Sequence, residues 1–123
     1  MEPYQQLAQR IETAKQAWLE GNGQQFADLF TTDGEFIAPG HRWQGRNAIL
    51  DAFQSFTATH SVQAIAIRNL VVQGNGAMLE WSWEEVEKQT GQVTRMEDAI
   101  AIDFRGSLIQ RWREYIDETV AAT

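Results

Sequence analysis

The feature that most constrains this chain is a change in the period of its apolar residues near position 60. Before it, Tyr4, Leu7, Ile11, Ala14 and Trp18 recur at steps of three and four, the stripe of an amphipathic helix. Gly21 supplies a stop, and Asn22 followed by Gln25 resembles a capping box. This opens a short second helix with Phe26, Leu29 and Phe30 on its apolar face. Asp33-Gly34 reads as a turn, Glu35 to Ala38 as a short extended piece, and Pro39-Gly40 as the start of a loop containing His41 and Trp43. After Gly45 a third helix carries Ile49, Leu50, Phe53 and Phe56 on one side. From about Ser61 the period becomes two, with turns at Gly74-Asn75-Gly76, Thr90-Gly91 and Arg105-Gly106 separating four extended runs. Helices followed by an antiparallel meander predict an α+β fold, in which a curved sheet buries one face against the helices.

Composition narrows the function. A net charge of -7 opposes binding to nucleic acid or an anionic membrane, which needs clustered Lys and Arg. Without Cys, and with His41 and His60 as the only histidines, no thiol nucleophile or imidazole cluster can form, and no metal site is expected. The N-terminal stretch lacks a basic region followed by an apolar run, and no stretch approaches transmembrane length, so the expectation is a cytoplasmic protein.

Strand register decides which residues face inward. A two-residue loop Arg105-Gly106 would set Glu97 opposite Glu114, like against like. A three-residue loop Arg105-Gly106-Ser107 instead pairs Phe104 with Leu108, Ile102 with Gln110, Ile100 with Trp112 and Asp98 with Glu114. It is the predicted register, with Arg95 opposite Asp117 and Glu97 diagonal to Arg113 on the other face. A tight turn at Thr90-Gly91 adds Trp83 opposite Asp98, Trp81 opposite Ile100, Leu79 opposite Ile102 and Ala77 opposite Phe104. The inner wall is then Leu79, Trp81, Trp83, Ile100, Ile102, Phe104, Leu108 and Trp112, interrupted by Gln110, Asp98 and Glu114. Two adjacent carboxyls beside tryptophan cannot both ionise cheaply, so one is expected to hold a proton near neutrality. An acid and a base side by side suit general acid-base catalysis; they also suit holding a polar ligand group.

The order of elements, with Trp18-Leu19-Glu20-Gly21-Asn22, Phe26-Ala27-Asp28-Leu29-Phe30, Asp33-Gly34-Glu35-Phe36, Gly45-Arg46-Asn47-Ala48-Ile49 and Trp112-Arg113-Glu114-Tyr115-Ile116-Asp117, resembles the SnoaL-like branch of the nuclear transport factor 2-like superfamily. The resemblance covers nearly the whole chain and implies one SnoaL-like domain over residues 1–123. Its fold is a cone of curved antiparallel sheet closed by three N-terminal helices, with a pocket at the open end and frequent homodimers. Relatives include steroid delta-isomerases, limonene epoxide hydrolase, polyketide cyclases and noncatalytic binding proteins. Asp98 resembles the protonated Asp of the isomerases, whose base and phenol fall at Ala38 and near Ala14 here. Glu114 resembles the carboxylate in the Trp-Arg-acid-Tyr run of the epoxide hydrolase, whose Arg-x-Asp falls in Trp81-Ser82-Trp83-Glu84, where the Arg is missing.

The site expected from these readings has Asp98, Glu114 and the loop residue His41 as catalytic groups. Trp18, Phe36, Trp43, Trp81, Trp83, Ile100 and Trp112 would bind a small apolar molecule. His60 has no partner in view, and Arg95, Arg111, Arg113 and Tyr115 fall on the outer sheet face, where a homodimer contact is expected. The expected activity is a cofactor-independent isomerase, dehydratase, cyclase or epoxide hydrolase. The alternative is a noncatalytic ligand-binding or protein-interaction module.

Overall fold

In the computed structural model, which describes residues 3–118, three helices precede and interleave with a six-stranded sheet. The helices are α1 (Pro3–Glu20), α2 (Gly23–Ala27) and α3 (Arg46–Thr59). The strands are β1 (Phe30–Ala38), β2 (His41–Gln44), β3 (His60–Gln73), β4 (Gly76–Glu87), β5 (Val93–Arg105) and β6 (Leu108–Asp117). Their order in the sheet is β2-β1-β6-β5-β4-β3, antiparallel except for the parallel pair β1 and β6.

The helical stripe forms as its spacing predicts. Leu7, Ile11, Ala14 and Trp18 are buried, joined by Ala17, while Tyr4 remains half exposed. Gly21, with φ of 68°, ends α1 in a Schellman turn: the Asn22 N–H donates to Ala17 O at 2.8 Å and the Gly21 N–H to Trp18 O at 3.3 Å. The Asn22 side chain then accepts the Gln25 N–H at 3.0 Å, capping α2. Helix α2 is shorter than its apolar residues suggest. It stops at Ala27, and Phe30 opens β1, because the parallel partner β6 offers that backbone hydrogen bonds a third helical turn would forgo. For the same reason Asp33-Gly34 is no turn; the chain runs through it as a strand irregularity between Phe30 and Glu35. The expected loop after Pro39-Gly40 is the hairpin strand β2, paired to β1 from Glu35↔Gln44 to Ala38↔His41.

The inner and outer faces of the sheet are as expected except at the start of β6, but the partners differ. The last hairpin turns on Gly106-Ser107 with Arg105↔Leu108, and a bulge then inserts Gln110, giving Ile102↔Trp112, Ile100↔Glu114 and Asp98↔Ile116. Asp98 and Glu114 are therefore diagonal rather than directly opposite. The bulge also exchanges two wall residues: Ile109 is buried, whereas Leu108 is only half-buried and Gln110 is exposed. At the preceding hairpin Thr90-Gly91 is not a tight turn. The loop is longer, closed by the Glu87 N–H to Gln92 O bond, and it shifts the register to Trp83↔Met96, Trp81↔Asp98, Leu79↔Ile100 and Ala77↔Ile102. From Trp112 onward in β6, and along β4, the shifts amount to two residues and side chains keep their face; before the bulge the shift is one residue, and Leu108 and Gln110 lose theirs. On the outer face Arg95 bonds Glu84 at 2.6 Å instead of meeting Asp117, which lies across from Glu97.

Further bulges between Val62 and Ala64, and between Ile67 and Asn69, bend β3 around the helices. Trp18 occupies the centre of the enclosed core. Its ring stacks on Phe53 at 3.9 Å and meets Phe26 at 5.1 Å and Trp83 at 5.3 Å. Gly34 lets β1 approach β6, since a Cβ there would lie 3.0 Å from the Phe30 ring and 3.1 Å from the Ile109 carbonyl oxygen. The carbonyl belongs to the backbone and cannot move aside cheaply. Gly34→Ala is expected to cost about 1–3 kcal/mol, read as a lower urea midpoint with an unchanged slope.

Candidate active site

A cavity of about 170 Å³ lies between helices α1 and α3 and strands β1, β2, β4, β5 and β6. Trp18, Phe36, Trp43, Phe56 and Trp83 form its aromatic walls, Ala38, Ala52, Met96 and Ile116 fill the gaps, and Glu85, Asp98 and Glu114 are its acids. Of the sequence-derived candidates, Trp18, Phe36, Trp43, Trp83, Asp98 and Glu114 thus come together. Trp81, Ile100 and Trp112 do not line the cavity; they are fully buried in the layer beneath. His41 lies outside it, exposed and stacked on Trp43 at 5.4 Å.

The buried indoles still act on the site. Trp81 Nε1 donates across the strand pair to Asp98 Oδ2 at 3.1 Å, and Trp112 Nε1 donates along its own strand to Glu114 Oε2 at 2.9 Å. A third pair repeats the second: Trp83 Nε1 donates to Glu85 Oε1 at 2.7 Å. Glu85 escaped the sequence reading, yet its signal was present. Trp83-Glu84-Glu85 has the same Trp-x-Glu spacing as Trp112-Arg113-Glu114, and on a strand that spacing sets ring and acid on one face. His60, which had no evident partner, stacks on Phe56 at 5.1 Å and brings Nε2 within 3.7 Å of Glu85 Oε2.

One indole bond does not compensate a carboxylate for loss of water. Burial pushes Asp98 up to about 6 despite the Trp81 bond, with Glu97, Glu85 and Glu118 adding smaller repulsion. Burial also pushes Glu114 up to about 8, the negative charge of Asp98 adds to the rise, and the Trp112 bond opposes it. Near neutrality the pair therefore shares one proton, held on the Glu114 side. Because Glu114 Oε2 accepts the indole N–H, the proton belongs on Oε1. Asp98 Oδ1 and Trp18 Nε1 are buried without a hydrogen-bond partner. Among the described residues no group of His, Asp and Glu is arranged to hold a metal ion, and no helix is long and apolar enough to cross a membrane.

The two raised carboxyls bind protons more tightly in the folded than in the unfolded chain. Over that interval the folded state holds more protons, and unfolding free energy falls as pH rises. The contribution is complete below the ordinary values of 3.8 and 4.5 and is lost as pH passes about 6 for Asp98 and about 8 for Glu114. Melting temperatures should accordingly decline from pH 5 to pH 8.5, and Glu114→Gln should flatten the upper part of that decline. Parallel curves for the two proteins would contradict the assignment.

The same fold occurs in solved structures of low sequence identity. A protein with a ketosteroid isomerase-like fold from Catenulispora acidiphila, in complex with trimethylamine, matches with TM-score 0.83 and 19% identity over 91% of this chain and 88% of its own. An NTF2-like protein from Anabaena variabilis matches with TM-score 0.85 and 20% identity, covering 98% and 92%. An LEH-like epoxide hydrolase from M. tuberculosis matches with TM-score 0.82 and 12% identity, covering 95% and 86%. No curated protein matches the sequence. The SnoaL-like domain model matches residues 11–112, through Trp83-Glu84-Glu85 and as far as Trp112, and the chain belongs to that family.

Proposed function

We propose that the protein binds a compact, largely apolar small molecule in this cavity and catalyses a proton transfer on it with Asp98 as base and Glu114 as acid, without a cofactor. The observation that carries this reading is the pair of unequal carboxyls inside apolar walls, each tethered through one oxygen by a buried indole. Near pH 7 the ionised Asp98 removes a proton from a substrate carbon or hydroxyl, while Glu114 delivers one from Oε1 to a developing oxyanion, a leaving hydroxyl or an epoxide oxygen. Isomerisation, dehydration, cyclisation and epoxide opening all draw on that exchange. A cavity of about 170 Å³ compares with the roughly 150 Å³ that encloses benzene, which favours single-ring or short branched ligands over steroids. Trp81 and Trp112 position the acids instead of contacting ligand, and Glu85 joins the site in place of His41.

A second reading, ligand binding without turnover, draws on Ala38. The residue lines the cavity where the related isomerases carry their base, so this position supplies no proton acceptor.

Both readings place a homodimer contact on the outer sheet face. There the cross-strand pair Val71 and Met78 is exposed, and Arg113 lies 4.9 Å over the ring of the exposed Tyr115. Light scattering should give twice the 14.0 kDa chain mass, and Met78→Glu should shift it to the monomer.

Turnover of single-ring epoxides, enones and β-hydroxy carbonyl compounds should follow a bell-shaped pH profile with limbs near 6 and 8. Glu114→Gln should lower kcat by about 100-fold or more while leaving ligand affinity nearly unchanged. Equal activity in that variant would leave binding alone.

A further inference from the structure

Three acids face one cavity, and among the described residues its lining contains no Lys, Arg or His. Glu85 has His60 behind it at 3.7 Å. Among the described residues only acids act by charge on Asp98: it is 5% exposed, Oδ1 lacks a hydrogen-bond partner, and the charged groups acting on it are Glu97, Glu85, Glu118 and Glu114. A buried carboxylate surrounded only by acids is an unfinished ion pair. The rest of the wall is aromatic, and ring faces attract cations.

We propose that the cavity selects a small protonated amine or quaternary ammonium over a neutral or anionic molecule of the same shape. The cation supplies the positive charge that Asp98 lacks, and Trp18, Trp43 and Trp83 surround its alkyl groups with aromatic carbon. Carboxylates and phosphates are refused by the acids. This inference rests on the reading that the cavity is the ligand site, and it names the ligand's chemical class.

Matched pairs of probes separate charge from shape. Tetramethylammonium and tert-butanol each have five heavy atoms, and cyclohexylammonium and cyclohexanol form a larger pair. Calorimetry and NMR titration of the full chain at pH 7 should show each cation binding at least about 10-fold more tightly than its neutral partner. Asp98→Asn keeps an acceptor for the Trp81 N–H; it should abolish the preference for cations while leaving the alcohols unaffected. Alcohols binding as tightly as the cations would overturn the inference and leave the pocket reading standing. If none of the four perturbs the cavity resonances, both fall.

Discussion

Everything in the site depends on carboxyls buried in apolar surroundings, where among the described residues an indole N–H is the one direct donor to Asp98 and to Glu114. A carboxylate moved from water into such a place loses more solvation than one neutral donor returns, and the balance is met by retaining a proton. The indole has a second effect, which is geometric. Trp81 and Trp112 are themselves locked by complete burial, so each fixes one oxygen of its acid and leaves the other without an indole donor. The acids are thus destabilised and oriented by the same residues, a combination found where stability is traded for a prepared site.

The fold supplies the setting through departures from regular pairing. The Gln110 bulge brings Ile109 and Trp112 onto the same inner face although three positions separate them, and this keeps the wall continuous across β6. The bulges in β3 curve the outer strands around the helices. Trp18 closes the opposite side: on Phe53 it is core, and its edge on the cavity makes it wall. One aromatic residue thereby links the packing of α1 and α3 to the shape of the site.

Much of this was legible in the linear sequence, because period and face are local properties. The helical stripe needed only the step of three and four, and the inward set Trp81, Trp83, Asp98, Ile100, Trp112 and Glu114 needed only alternation. A register displaced by two residues preserves parity, which is why the inner face survived everywhere but at Leu108 to Gln110, although each predicted partner was wrong. The register itself was hidden. It depended on whether Gly106 opens or centres its turn and on one inserted residue at Gln110, differences too small in energy to read without the neighbouring strand. The length of β1 was hidden too, since Asp33-Gly34 has turn chemistry and only the pairing with β6 overrides it.

The sequence by itself determined that an α+β fold would carry Asp98 and Glu114 inward among tryptophans, because hydrophobic periodicity acts over a few residues of contiguous chain. The tertiary structure alone decided that the acids sit diagonally, that Glu85 joins them, that His41 does not, and that Trp81 and Trp112 lie below the cavity floor. Those outcomes depend on register, sheet curvature and the packing of rings from five separate elements. They are set by distances between segments far apart along the chain.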